Sequence, residues 1–436
     1  MAAQSIATWG AKPDGKTVNT AAIQTCIDQC HAVGGGVVEF PPGEWVTGTV
    51  RLRSHVHLHV LPGARVLGST NPADYPVQPT PCYRSQKDPA GFRALVYAES
   101  ETGIGLYGSG TIDGRGAAFP FGGNDADGRP RLLQFVSCSD VRVVDLRLRD
   151  SGLWMQHYLN CDHVSLRGLR VWNHANRNND MIDIDGCRNV TISDCIGDTD
   201  DDGITLKSTG PALCENVVIS NCIISSRCNA IKLGTETTGG FRNIAINNCV
   251  IKPSAAPDGI YGHPEGISAV ALEIVDGGTL DGVVISNLHI TGTRSPFFIR
   301  LANRARPHLP HLAKPAIGRL RNVMIQNVIV SGAGDVGSSL TGQPSHPIEA
   351  ITFENVRIEN VVSSVPQHAA EAFPERADAY PEATMWGPLP SHGFYVRHAR
   401  NVRFHRVAVV AAAGETRPVF LSENATDTEG APTASV

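Results

Sequence analysis

From Val37 onward the chain alternates apolar and polar residues in runs too short for helices, VVEF and then VHLHV, with Pro-Gly turns between them. Alternation of period 2 predicts half-buried β-strands. The runs also repeat. A turn residue of Asn or Asp type followed by apolar-x-apolar recurs at Val141-Val143, Val164-Leu166, Val190-Ile192, Val217-Ile219, Ile244-Ile246, Val283-Ile285, Val323-Ile325, Ile351-Phe353 and Val402-Phe404. The intervals are 23, 26, 27, 27, 39, 40, 28 and 51 residues. A period near 25 made only of strands and turns, with insertions lengthening single repeats, predicts an all-β parallel β-helix with one coil per repeat. Leucine-rich repeats share the period, but their leucine spacing and helical segments are missing. Coils stack at about 4.8 Å, so equivalent residues of successive repeats become neighbours.

One segment departs from this pattern. After the turn signal Lys12-Pro13-Asp14-Gly15, Asn19 is placed to cap a helix in which Ala22, Ile23, Cys26, Ile27 and Cys30 form one apolar stripe, and Gly34 to Gly36 stop it. A helix at 20–32 is expected to cap the open N-terminal end of a β core. The domain expectation is a single solenoid over 1–436: strand and capping helix at 1–36, coils at 37–410 and a tail at 411–436.

The stretch Asn178 to Ser208, NNDMIDIDGCRNVTISDCIGDTDDDGITLKS, sets Asp180, Asp183, Asp185, Asp194 and Asp198 among β-branched residues and then runs Asp200-Asp201-Asp202. Acidic residues are poor strand formers and adjacent carboxylates repel, so such crowding points to function. Aligning Cys161 on Cys187 puts Trp154 beside Asp180. Aligning the strand after each acidic turn puts Asp180 beside Asp202 and Asp202 beside Asn229, with Ile182, Ile204 and Ile231 inward. His157, Asp183, Thr205 and Lys232 then form an outward row, and the insertions at 251–270, 300–320 and 364–394 are placed to wall a cleft. Crowded carboxyls suit glycoside hydrolysis, which needs one protonated acid and one carboxylate, because crowding pushes one pKa up. Plainer readings stand beside this one: a solvated turn for the aspartates, an ion-pair ladder for Asp183, Asp185, Lys207 and Lys232, and packing roles for His157, Trp154, Arg300 and Trp386.

Composition narrows the partners. A net charge of −5 and a pI near 6.3 give no basic patch for nucleic acid, and no run approaches the roughly 20 apolar residues of a membrane span. The N-terminus MAAQSIATWG carries no basic and apolar export signal, so none is expected in this sequence. Cys161, Cys187 and Cys214 each precede a Val by three residues and Cys195, Cys222 and Cys249 are spaced by 27, which predicts stacked reduced thiols. No CxxC pair points to a metal.

Two stretches carry a family resemblance. Asn178-Asn179-Asp180 followed by Ile182-Asp183 resembles the Asn-Thr-Asp stretch of glycoside hydrolase family 28, the polygalacturonase and rhamnogalacturonan hydrolase family, and Asp201-Asp202 in DDDGITLKS resembles its Asp-Asp stretch. The spacing of 21 from Asp180 to Asp201 fits, and the repeat resemblance covers most of residues 5–410. The resemblance implies a right-handed parallel β-helix and hydrolysis of a pectin-type or related uronic-acid-containing glycan. It implies Asp201 as acid, Asp180 and Asp202 as the water-activating pair, and inversion, which asks for carboxyls about 6.5–9.5 Å apart. No metal or organic cofactor is implied, and members usually act outside the cytoplasm or on imported oligosaccharides. His157, Asp183, Lys207, Asn229, Lys232, Glu273, Arg300 and Trp386 are the expected substrate-binding residues. The chain departs from the family at two motifs, reading Cys228-Asn229-Ala230 for Gly-His-Gly and Ala271-Leu272-Glu273 for Arg-Ile-Lys. A carboxylate there repels a uronate, leaving Lys232, Arg300 or Arg397 to supply positive charge. Two other functions fit such a chain: a Ca²⁺-dependent lyase or an epimerase, and a non-catalytic glycan-binding β-helix.

Overall fold

The computed structural model describes residues 3–78, 92–121 and 128–435. They form a right-handed parallel β-helix in which the chain separates into two compact units, Met1–Asp201 and Asp202–Val436. In the first unit a coil is three short strands, as in Gln156–Leu159, Asp162–Arg167 and Arg170–Asn173. Each pairs in parallel with its counterpart one coil on, Ile182–Asp185, Arg188–Ser193 and Ile196–Thr199. In the second unit two faces fuse into long bent strands such as Thr279–Thr293 and Arg319–Ala333.

The repeat read from the sequence is the observed register. Val141, Val164 and Val190 are successive partners in the first unit. Val217, Ile244, Val283, Val323, Ile351 and Val402 are successive partners in the second. Their side chains point inward and are buried. Asparagines at the bends inside these long strands hold the left-handed conformation at φ near 55°, as at Asn248, Asn287, Asn327 and Asn355. There they stack, the Asn287 amide donating to Asn248, Asn327 to Asn287 at 3.1 Å and Asn355 to Asn327 at 2.8 Å.

The helix Thr20–Ala32 is the one α-helix among the described residues and buries Ile23, Cys26, Ile27 and Cys30. Strand Val50–Arg51 pairs with Ala94–Glu99 on one side. On its other side Gln24 of the helix accepts from the Arg51 N–H at 2.8 Å and donates to the Arg51 carbonyl at 3.0 Å. The helix thus satisfies backbone groups that would otherwise form an open edge. Asn19 holds the cap position without capping. Its side chain instead binds the main chain of Lys12 on both sides and the Thr17 carbonyl, tying down the preceding loop.

The expected tail corrects to strand. Phe420–Glu429 and Thr433–Ser435 pair in parallel with Phe394–Val410. The ten described cysteines are buried and unbridged. Cys82 lies outside the described residues.

Candidate active site

In the first unit the acidic turn is held by amides. Asn179 is fully buried. Its Nδ2 donates to the carbonyls of Ser151 at 3.0 Å and Leu153 at 2.9 Å, and its Oδ1 accepts from the Asn176 N–H. The peg fixes the backbone entering Asp180, whose carbonyl accepts from Asn173 Nδ2 at 2.9 Å. Asp201 is drawn to the same place by its N–H on the Asn179 carbonyl and by Asn178 Nδ2, which donates to its carboxylate at 3.3 Å. Asp180 and Asp201 each offer an oxygen within 4.8 Å of the other. Asp180 is buried and Asp201 partly exposed.

His157 and Asp183 keep the predicted register and stand opposite each other. The expectation of an open outward row is corrected, because both side chains are buried with no exposed surface. His157 Nδ1 lies 2.9 Å from Gln134 and Nε2 3.3 Å from Asp185. Its ring packs edge-on to Trp154, which in turn carries the Arg131 guanidinium 4.6 Å from its centroid. The packing reading of His157 describes this arrangement.

In the second unit the predicted neighbours Asp202 and Asn229 meet: Asn229 donates to Asp202 Oδ1 from its amide at 2.7 Å and from its backbone at 3.2 Å. Lys232 Nζ stands 2.9 Å from Asp202 Oδ2, and Ser268 steadies Asn229 by donating to its Oδ1 at 2.6 Å. Burial penalises the Asp202 charge, but Lys232, then Lys207 and the two hydrogen bonds outweigh it and hold the carboxyl below its ordinary range. Lys232 is held protonated in turn, Asp202 overcoming its burial. Glu273 goes the other way: burial, against the pull of Lys232, pushes its carboxyl up to about 8. Its Oε2 has no hydrogen-bond partner. Gly234 leaves room for it, since a Cβ there would stand 2.7 Å from that oxygen.

A ring of charge that the motifs did not announce surrounds these groups. Lys207 faces Glu236 at 3.6 Å, Arg306 reaches Glu236 at 2.9 Å, and Arg304 grips Asp276. Tyr380, from the 364–394 insertion, hydrogen-bonds Lys232 at 3.4 Å and lies under both Lys232 and Arg304. Lys207 was named from the sequence; for the rest of this ring the sequence offers the polar run Thr235-Glu236-Thr237-Thr238, which continues a buried strand.

Arg300 sits opposite Glu273 in the register but is buried. It stacks on Trp386 at 4.6 Å and donates to Thr341 and to the carbonyls of Glu375 and Arg376. Trp386 belongs to an apolar cluster with Phe298, Phe373 and Tyr395 and is 1% exposed. Both side chains are buried in these contacts. Arg397 likewise pairs with Glu375 and Glu423.

The family model described as Glycosyl hydrolases family 28 matches residues 78–372, more than half of the 436-residue chain. A probable polygalacturonase of Vitis vinifera is 30% identical over 215 residues, 47% of this chain and 44% of that protein. An exo-poly-alpha-D-galacturonosidase of Dickeya chrysanthemi is 37% identical over 145 residues, 32% of this chain and 24% of that protein. The chain thus spans less than half the length of these relatives. The crystal structure of a hyperthermoactive exopolygalacturonase from Thermotoga maritima superposes with a TM-score of 0.70 at 20% identity, covering 93% of this chain and 92% of that one. At that identity the likeness is one of fold.

Proposed function

Because the chain belongs to glycosyl hydrolase family 28, we propose that it is a glycosidase cleaving a pectin-type, galacturonate-containing glycan, with Asp180, Asp201 and Asp202 as its acid and base groups. The observation that carries this reading is the contrast between two consecutive carboxyls. Asp202 is buried and held ionised by Lys232 and Asn229. Asp201 is partly exposed, and its carboxylate oxygen takes the neutral Asn178 amide. Environments that separate two neighbouring carboxyls in this way assign different roles to them. In this reading Asp201 gives its proton to the departing glycosidic oxygen, and Asp180 with Asp202 takes a proton from the attacking water. The charge of Lys232 keeps Asp202 a carboxylate at the pH where Asp201 must be an acid.

Lys207, Asn229, Lys232 and Glu273 are proposed to flank the sugar bound beside Asp202, with Arg300 opposite Glu273 in the register. Glu273, neutral below about 8, donates a hydrogen bond instead of repelling a uronate.

The test is release of reducing ends from polygalacturonate and rhamnogalacturonan by the protein and by Asp201→Asn. Turnover that Asp201→Asn abolishes supports the reading. Wild-type rates in that variant overturn it, and an unsaturated, ultraviolet-absorbing product would place the chemistry with lyases.

A further inference from the structure

We propose that His174, which has no part in the acid and base roles above, is a positioning residue for Asp201: its ring, lodged between Asp198 and Asp200, holds the segment that presents the Asp201 carboxyl. The inference rests on Asp201 being the acid.

His174 directly follows the strand Arg170–Asn173, which pairs with Ile196–Thr199 so that Trp172 faces Asp198 and Asn173 faces Thr199. Continuing that register sets His174 opposite Asp200. Its Nε2 lies 3.1 Å from Asp198 and its Nδ1 3.5 Å from Asp200. A neutral imidazole has one N–H and serves one carboxylate, whereas the imidazolium serves both. The main chain carries the clamp onward. The Asp200 N–H donates to the Asn173 carbonyl at 3.0 Å, and the Thr199 hydroxyl donates to the Asp201 carbonyl at 3.0 Å.

The surroundings favour the proton. Asp150, on the preceding coil, also faces His174, and it is paired with Arg149 at 3.6 Å and approached by Asp113. Trp172 covers the ring at 4.6 Å. Burial opposes the charge, but the hydrogen bonds and charges of Asp198 and Asp200 outweigh it, and the imidazole titrates above its ordinary range. Once the proton leaves, Asp198 and Asp200, two residues apart on one strand face, are left repelling each other. Asp201 is then no longer held against Asn178 and Asn179.

The experiment measures kcat and KM on polygalacturonate across pH for the wild type, His174→Gln and His174→Lys, alongside imidazole NMR titration of the folded protein. In the wild type, kcat should fall as pH rises through the His174 titration while KM changes little. His174→Gln should lower kcat about tenfold to a hundredfold and erase that limb. His174→Lys, keeping a charge, should carry activity to higher pH. By NMR, His174 should titrate above the ordinary value of about 6.5, and Asp200→Asn should bring it down. If His174→Gln does not fold, Asp198→Asn carries the same comparison. A wild type inert on every glycan would sink the hydrolase reading while the NMR arm still judges the clamp. His174 titrating at or below its ordinary value, or a His174→Gln profile superposing on the wild type, overturns the proposal.

Discussion

Glu273 and Asp202 are both buried around Lys232, yet their carboxyls titrate in opposite directions, and this sets two predictions. Glu273 rises from an ordinary 4.5 to about 8, so the folded state holds a proton the unfolded chain has released. The stability tied to that proton is complete below about 4.5 and is lost as pH climbs through about 8. Glu273→Gln should therefore melt progressively higher than the wild type across that window, read by melting curves at several pH values. A constant gap between the two proteins would show that Glu273 is charged in the fold. Lys232→Met strands the Asp202 carboxylate in the interior, where removing one partner of a buried pair costs about 3–5 kcal/mol. Urea unfolding should show that loss, and a loss below about 1 kcal/mol would mean that water reaches Asp202. Asp201→Asn removes one of several mutually repelling charges, so it should leave stability nearly unchanged while lowering kcat on the order of 10²-fold or more.

At the scale of the element, the asparagine ladder separates two costs. Asn287 sits at φ 56° and both gives and takes a ladder hydrogen bond. Asn287→Ala loses these bonds and forces a Cβ-bearing residue without a local polar partner into the left-handed region, at about 1–2 kcal/mol. Asn287→Gly loses the same bonds without that conformational cost. The alanine variant should be the less stable of the two by denaturant unfolding, and the reverse order would show that the ladder, not the turn, governs the site. The catalytic reading makes its demand at the level of two facing carboxyls. The proposed reading carries inversion, so an α-linked substrate should yield the β-anomer first. Proton NMR of the fresh product decides, and an α-anomer appearing first would assign a covalent intermediate.

On the scale of the whole molecule, native protein should present few reactive thiols and denatured protein most of its eleven, because the ten described cysteines are buried and unbridged. Thiol titration before and after denaturation checks this. The same stacking explains what was legible from residues alone. Alternation of period 2 is a local property, and a repeat that stacks on itself converts spacing directly into contact, so Val217 against Ile244 and Asp202 against Asn229 could be read before any coordinates. Asp180 and Asp201 were legible as an acidic pair at a spacing of 21 residues, and the amides of Asn178 and Asn179 adjoin Asp180 in the chain. Accessibility was not legible, because it depends on insertions that do not repeat. The 364–394 segment brings Tyr380 to Lys232 and buries Trp386 and Arg300. His157 was placed correctly in register, but its burial comes from neighbouring side chains that the repeat does not announce, Gln134, Trp154, Asp185 and Phe92 among them. His174 carried no motif, since a lone histidine in a turn has no meaning until two carboxylates of the next coil close on it. The sequence by itself thus determined the coil, its register and the acidic turn, because each follows from short-range periodicity. Only the tertiary structure decided which polar groups are buried, paired and held in one charge state, because those properties belong to desolvation and to partners far apart in the chain.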